Sequence, residues 1–217
     1  MQSVSGKNWE ESKINLRIFE KIKSENSFPD IINKLILLRN FNKEEIFNIN
    51  NKINLINPFL KIEDFENSYN ILSKTIKNKD KILIIGDYDV DGIVSTSLFI
   101  KFLKILDYQY EFYIPDRLKD GYGASLKLIE KLIKKNPKLV IMLDCGSNSI
   151  DVVDFLNQNK VKSIIIDHHD IHNPYPQTKN LINPKKKCDY ENFNYLCSAS
   201  LTYFFIDLFL KKKKFKK

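Results

Sequence analysis

From residue 81 onward, short apolar runs alternate with longer amphipathic ones, and this alternation leaves few folds open. The run at 81–86, Lys-Ile-Leu-Ile-Ile-Gly, is apolar along its whole length and stops at a glycine, as a strand buried on both faces does. A helical stretch is expected over 93–106, then a strand at 110–114, a helix at 125–135, a strand at 139–143, a helix at 150–159 and a strand at 161–166. Strands separated by helices of this length form βαβ units. The expected fold class is therefore α/β, a parallel sheet flanked by helices.

The first eighty residues follow a helical pattern and carry no obvious chemistry. Phe28-Pro29-Asp30 starts one helix, with Ile31, Ile32, Leu35 and Leu38 at helical spacing. The stretch from Asn42 to Glu45 has the form of a capping box. Asn57-Pro58 breaks the chain, and an amphipathic helix from about 64 to 77 puts Phe65, Tyr69, Leu72 and Ile76 on one face. The expected organisation is an N-terminal helical extension over 1–60, a catalytic-type domain over 61–210 and a lysine-rich tail over 211–217.

The net charge of +8 suggests a polyanionic partner until it is located. Six lysines stand in the last seven residues, so the rest of the chain carries only +2. Such a block is expected to be a solvated tail, and the charge total is weak support for nucleic-acid binding. Cys145, Cys188 and Cys197 are odd in number and lack CxxC spacing, which argues against a disulfide framework and a zinc knuckle. The start is polar and no run is long and apolar enough to span a bilayer, so a cytoplasmic protein without membrane attachment is expected.

The chemistry lies where the strands end. The segment 86–92 reads Gly-Asp-Tyr-Asp-Val-Asp-Gly. Pro115-Asp116-Arg117 and Gly121-Tyr122-Gly123 follow the second strand, Asp144 and Gly146 the third, and Asp167-His168-His169 the fourth. Ligands bind along the carboxyl ends of the strands in open parallel sheets, so Asp87, Asp89, Asp91, Asp144, Asp167, His168 and His169 should converge. Five carboxylates in one place repel unless a divalent cation neutralises them. Carboxylate and imidazole donors suit Mn²⁺ or Mg²⁺ better than Zn²⁺, and two such ions about 3.5–4 Å apart can activate water and clamp a phosphate. Each signal alone has a plainer reading: Asp144 as a helix cap, the paired histidines as surface groups, Cys145 as packing. The acidic run at 87–91 lacks the distal glutamate and preceding helix of a calcium loop. Co-occurrence at matching strand ends favours the metal reading.

In this order, these motifs resemble the DHH phosphoesterase family, and within it the RecJ-like exonucleases. The flanks 56–60 (Ile-Asn-Pro-Phe-Leu) and 182–184 (Ile-Asn-Pro) agree with the resemblance. It implies that Asp89, Asp91, Asp144 and His168 are metal ligands, with Asp144 the bridge, and that Asp87 and Asp167 are ligands or acids fixing the histidine tautomer. It implies further that His169, Arg117 and Asp167 serve catalysis, and that Arg117, Gly121, Tyr122, Gly123 and His169 contact substrate. An ion pair to one of the acids is the competing reading of Arg117.

The activity implied is metal-dependent 5′-to-3′ hydrolysis of single-stranded DNA in repair and recombination, with two Mn²⁺ or Mg²⁺ ions in the complete enzyme. The expected partners are single-stranded DNA and a repair helicase or single-strand-binding protein, with the chain itself a monomer. Two rivals stand: a DHH phosphodiesterase on short oligonucleotides or cyclic dinucleotides, and an inactive nucleic-acid-binding relative. RecJ-like proteins carry a further acid in a Gly-Thr-x-x-Asp setting, a second substrate-gripping domain and a β-barrel, none of which occurs in these 217 residues. A fragment or a degenerate copy is the expectation, with slow turnover. Asp207, the one late acid, lacks the motif around it.

Overall fold

The computed structural model describes residues 5–8, 10–60 apart from 51–56, 62–121, 123–186 and 193–214; for Asn50 and Lys214 it describes the backbone alone. The chain divides into two compact units, Met1–Ile56 and Asn57–Lys217. The first holds α1 (Leu16–Glu25), α2 (Asp30–Leu38) and α3 (Lys43–Asn50). Asn15 caps α1 by accepting from the Arg17 and Ile18 amides. The capping box before α3 forms reciprocally: Asn42 N–H donates to Glu45 at 2.7 Å, and Glu45 N–H to Asn42 Oδ1 at 2.9 Å. The first of these helices had no distinct signal in the sequence.

The second unit starts four residues before the expected boundary, because Phe59 is fully buried in its core and stacks on Phe65. In chain order it contains α4 (Glu63–Asn78), β1 (Ile82–Gly86), α5 (Val90–Ile105), β2 (Tyr110–Tyr113), α6 (Leu126–Leu132) with a 3₁₀ turn at Ile133–Lys135, β3 (Leu139–Leu143), α7 (Ile150–Gln158), β4 (Lys162–Ile166), β5 (Leu181–Ile182) and α8 (Ser198–Lys214). The five strands are all parallel, in the order β2-β1-β3-β4-β5. The fold class is α/β, as expected from the sequence.

Period-two geometry explains how the sheet is covered on both sides. Ile82, Ile84, Leu139, Ile141, Leu143, Ile164 and Ile166 meet α4, α5 and α8, while Leu83, Ile85, Val140, Met142 and Ile165 meet α6 and α7. Phe99, Phe102, Phe205 and Phe209 fill the first layer and are all but inaccessible. Burying one such ring is worth roughly 1.5–3 kcal/mol.

Two expectations need correction. The 211–217 block was expected to be a solvated tail, but α8 runs to Lys214: Lys211 pairs with Asp207 at 2.7 Å, and Lys212 pairs with Glu66 and lies over the Tyr69 ring at 4.9 Å. Its aliphatic stem covers aromatic surface while the ammonium finds a carboxylate. Residues 215–217 lie outside the described residues. The sheet also has a fifth strand, β5, absent from the sequence reading.

Candidate metal centre

Strand order reverses between β1 and β3, since β2 lies beyond β1 on one side and β4 beyond β3 on the other. Connections diverge at such a point and leave a crevice beyond the strand ends. Asp87 follows β1 and Asp144 follows β3, so these two acids flank it, with Asp167 next in line after β4. α5 approaches closely because residue 92 is glycine: a Cβ there would lie 2.4 Å from the Asp87 carbonyl oxygen. Its start at Val90 is fixed by Asp89, whose carboxylate accepts from Gly92 N–H at 3.0 Å. That bond is the main reason the Asp89 carboxyl is held below its ordinary value. The helix begins three residues before its expected start, because the motif supplies its own cap.

Asp144 is completely buried in a left-handed backbone conformation (φ 61°), and neither carboxylate oxygen has a hydrogen-bond partner. Its pKa is pushed up to about 8, first by burial and then by the charges of Asp91 and Asp89; the nearby Ser198 side chain and His169 act in the other direction. Asp87 is 1% exposed, has one partnerless oxygen, and is likewise raised by burial. Orphaned buried carboxylate oxygens are costly, and a cation is the simplest group that satisfies them.

The ligand-type atoms form two groups, Asp87-Asp89-Asp144 and Asp144-His168-His169, each within 4.8 Å internally. Asp144 belongs to both. His168 Nε2 stands 3.5 Å from Asp144 and 3.4 Å from Asp91. This oxygen-rich, imidazole-containing set fits a divalent cation.

Asp91 sits differently from the other acids. Its two oxygens accept from the amides of Ser198 and Ala199, each at 2.8 Å, so it caps α8 from another element while facing His168. Asp167 accepts from the amides of Ser147 (3.0 Å), His168 (2.7 Å) and His169 (3.2 Å), and its Oδ1 is 2.7 Å from His169 Nδ1. Burial would raise Asp167, but the His169 ring and the Ser147 donors outweigh it and hold the pKa at about 2. The same contact lifts His169 to about 8. Asn183, fully buried after β5, donates to Ser147 Oγ at 2.8 Å and to the His169 carbonyl at 2.9 Å, which locks the loop carrying the histidines.

Arg117 is exposed and makes no ion pair among the described residues; its guanidinium lies over the Tyr88 ring, 5.5 Å from the centroid. Gly121 and Gly123 both have positive φ, 82° and 60°. Gly123 packs against Cys145, and Gly121 has open space around it. Tyr122 lies outside the described residues, as does Cys188. Cys145 turns away from the acids into the α6–α7 layer, where burial raises its thiol well above the ordinary value, in keeping with a packing role. Asp207, paired with Lys211, stands nine residues along α8 from Ser198, about 13 Å from the site by helical rise.

The sequence reading did not find Tyr88, Ser147, Asn183 or the Ser198 and Ala199 amides. Only Asn183 carried a signal: it stands at a strand end within Ile182-Asn183-Pro184, like the aspartates of the other strands.

With this geometry in place, the match to known proteins is direct. The N-terminal domain of the DHH family matches residues 81–217. The chain belongs to the DHH family. Among curated relatives, it is 29% identical over 164 residues to the single-stranded-DNA-specific exonuclease RecJ of Bacillus subtilis, covering 74% of this chain and 21% of that protein. It is 31% identical over 131 residues to RecJ of Haemophilus influenzae, covering 60% and 23%. The chain thus spans about a fifth of the length of these relatives. Its fold is similar to that of RecJ in complex with Mn²⁺ from Thermus thermophilus (TM-score 0.67, 16% identity, covering 92% of this chain and 28% of that one). It is also similar to an exonuclease RecJ bound to manganese (TM-score 0.65, 22% identity, covering 71% and 39%).

Proposed function

We propose that this chain is the metal-binding core of a RecJ-like nuclease that hydrolyses single-stranded DNA from its 5′ end in repair and recombination, with Mn²⁺ or Mg²⁺ as its ion. The observation that carries the reading is Asp144: fully buried, both oxygens without a hydrogen-bond partner, and shared by two groups of ligand-type side chains. Asp87, Asp89 and Asp144 would hold one ion, and Asp144 with His168 a second. Bound there, divalent ions supply Lewis acidity and charge neutralisation at the phosphate.

The protein's own groups do the remaining work. Asp167 holds His169 at Nδ1, so Nε2 is the nitrogen that donates to a non-bridging oxygen. Arg117, unpaired by any carboxylate among the described residues and supported by Tyr88, offers a planar fork to the substrate backbone. Asp91 holds α8 against the site and orients His168.

The test is release of label from 5′- and 3′-labelled single strands with Mn²⁺ or EDTA. Nucleotides should leave the 5′ end only with the metal, and Asp144→Asn should abolish this. Asp207 is too distant to replace the Gly-Thr-x-x-Asp acid of the family, and losing one electrostatic stabiliser typically costs ~10²–10³ in rate. These 217 residues alone should therefore be slower than a full-length relative by at least that factor. Release from the 3′ end, or release unaffected by EDTA, would overturn the reading.

A further inference from the structure

A cavity of about 540 Å³ lies between α6 and the loop leading into it, and none of the acidic cluster lines it. Its charged lining is Lys119, Lys127, Lys131 and Lys134 against Asp120 and Glu130. Lys127, Lys131 and Lys134 are spaced i, i+4 and i+7, which sets them on one helical face, and all three are exposed. None of the three makes an ion pair among the described residues, in contrast to Lys135, Lys185, Lys186, Lys211 and Lys212. Asp120 is engaged elsewhere: it accepts from the Tyr113 hydroxyl at 2.7 Å and the Asp116 amide at 3.0 Å. Lys119 pairs with Asp116 at 3.8 Å, and Asp120 and Glu130 offset part of the charge, but four lysines against two acids leave the lining net positive.

We propose that this row carries the phosphodiester backbone of single-stranded DNA beyond the reacting phosphate; the proposal rests on the exonuclease reading above. Continuity with the site supports it. The loop after β2 holds Arg117, whose guanidinium lies on Tyr88 between Asp87 and Asp89, and two residues later Lys119 begins the cavity. The same loop thus carries both Arg117 and the first lysine of the cavity. Shape selects the ligand: the three helical lysines extend along about 10 Å of axis and do not converge, which suits successive phosphates better than one free phosphate. Lysine ammoniums are point charges without bidentate geometry, so the contact is to backbone and independent of sequence. The near-neutral charge of the chain outside its lysine-rich end conceals this patch, because the five acids of the metal centre offset its lysines in any sum.

The test is the salt dependence of oligothymidylate binding in the presence of Mn²⁺. Each phosphate neutralised on a single strand contributes about 0.7 to the slope of log K against log salt. The triple variant Lys127→Ala/Lys131→Ala/Lys134→Ala should therefore lower the slope by about 2, and the corresponding Arg triple should restore it. The control Lys77→Ala/Lys101→Ala/Lys104→Ala removes the same charge from α4 and α5 and should leave the slope unchanged. An unchanged slope in the α6 triple, with Mn²⁺-dependent cleavage intact, would overturn this proposal and leave the exonuclease reading standing. Equal losses in both triples would overturn it as well, by showing a response to net charge alone. A wild-type protein that binds no single strand at any salt would overturn both.

Discussion

At Asp144 the requirements of folding and of metal binding oppose one another, and the conflict should be visible in pH dependence. Its folded pKa of about 8 lies above the ordinary 3.8, so the unfolded chain releases this proton first. The group's contribution to stability is then fully present below about pH 4 and is lost as pH rises through 8. His169, raised from 6.5 to about 8, has the same sign: its contribution is full below 6.5 and lost through 8. Asp167, lowered to about 2, contributes fully above 3.8 and weakens only as pH falls through 2. In EDTA the melting temperature should therefore fall steadily from pH 5 to 8.5, and Asp144→Asn should remove most of that decline. A flat wild-type profile over this window would contradict the assignment. Tyr88 gives a second prediction at this scale. An exposed cation–π contact is worth roughly 0.5–1 kcal/mol, so Tyr88→Leu should weaken single-strand binding about two- to five-fold, while Tyr88→Phe keeps wild-type affinity. Indistinguishable affinities for Leu and Phe would show that the ring does not position Arg117.

Among the elements, α8 shows how closely scaffold and site are joined. Its first amides are held by Asp91 from α5, and Leu201, Phe205 and Phe209 anchor it in the core. Losing a cap costs roughly 0.5–2 kcal/mol, and a chain of this size loses roughly 2–4 °C per kcal/mol. Asp91→Ala should accordingly lower the melting temperature by several degrees even in EDTA, with Asp91→Asn milder; a residue serving only as a metal ligand would show no loss without metal. The elements also show what was legible in the sequence and why. β1 and β3 were plain because a strand buried on both faces must be continuously apolar, and 82–86 and 139–143 are. β5 was not, because Leu181 and Ile182 are too few to form a pattern and become a strand only by pairing with Ile165 and Ile166. The convergence of Asp87, Asp144 and Asp167 followed from strand-end logic alone. The second partner of Asp91 did not, because an amide 107 residues away leaves no mark in a local window.

For the whole molecule, a cation that binds only the folded state should raise stability by about 2.7 kcal/mol at a hundredfold excess over its dissociation constant. That corresponds to roughly 5–10 °C for Mn²⁺ over EDTA, and Asp144→Asn should show little of this shift; equal melts with and without metal would refute it. The placement of the acids also determines when during folding the ion can act. Asp87 and Asp144 stand 57 positions apart and become neighbours only once β1 and β3 have paired in register. Until then no chelating site exists, and the long loop must close against the mutual repulsion of the carboxylates. An ion held by both acids therefore needs that pairing first, and an interaction that forms after the transition state leaves the folding rate alone and slows unfolding. Stopped-flow traces should show one refolding limb shared by Mn²⁺ and EDTA and an unfolding limb displaced downward by the metal, so that the ion acts as a latch on a structure already assembled.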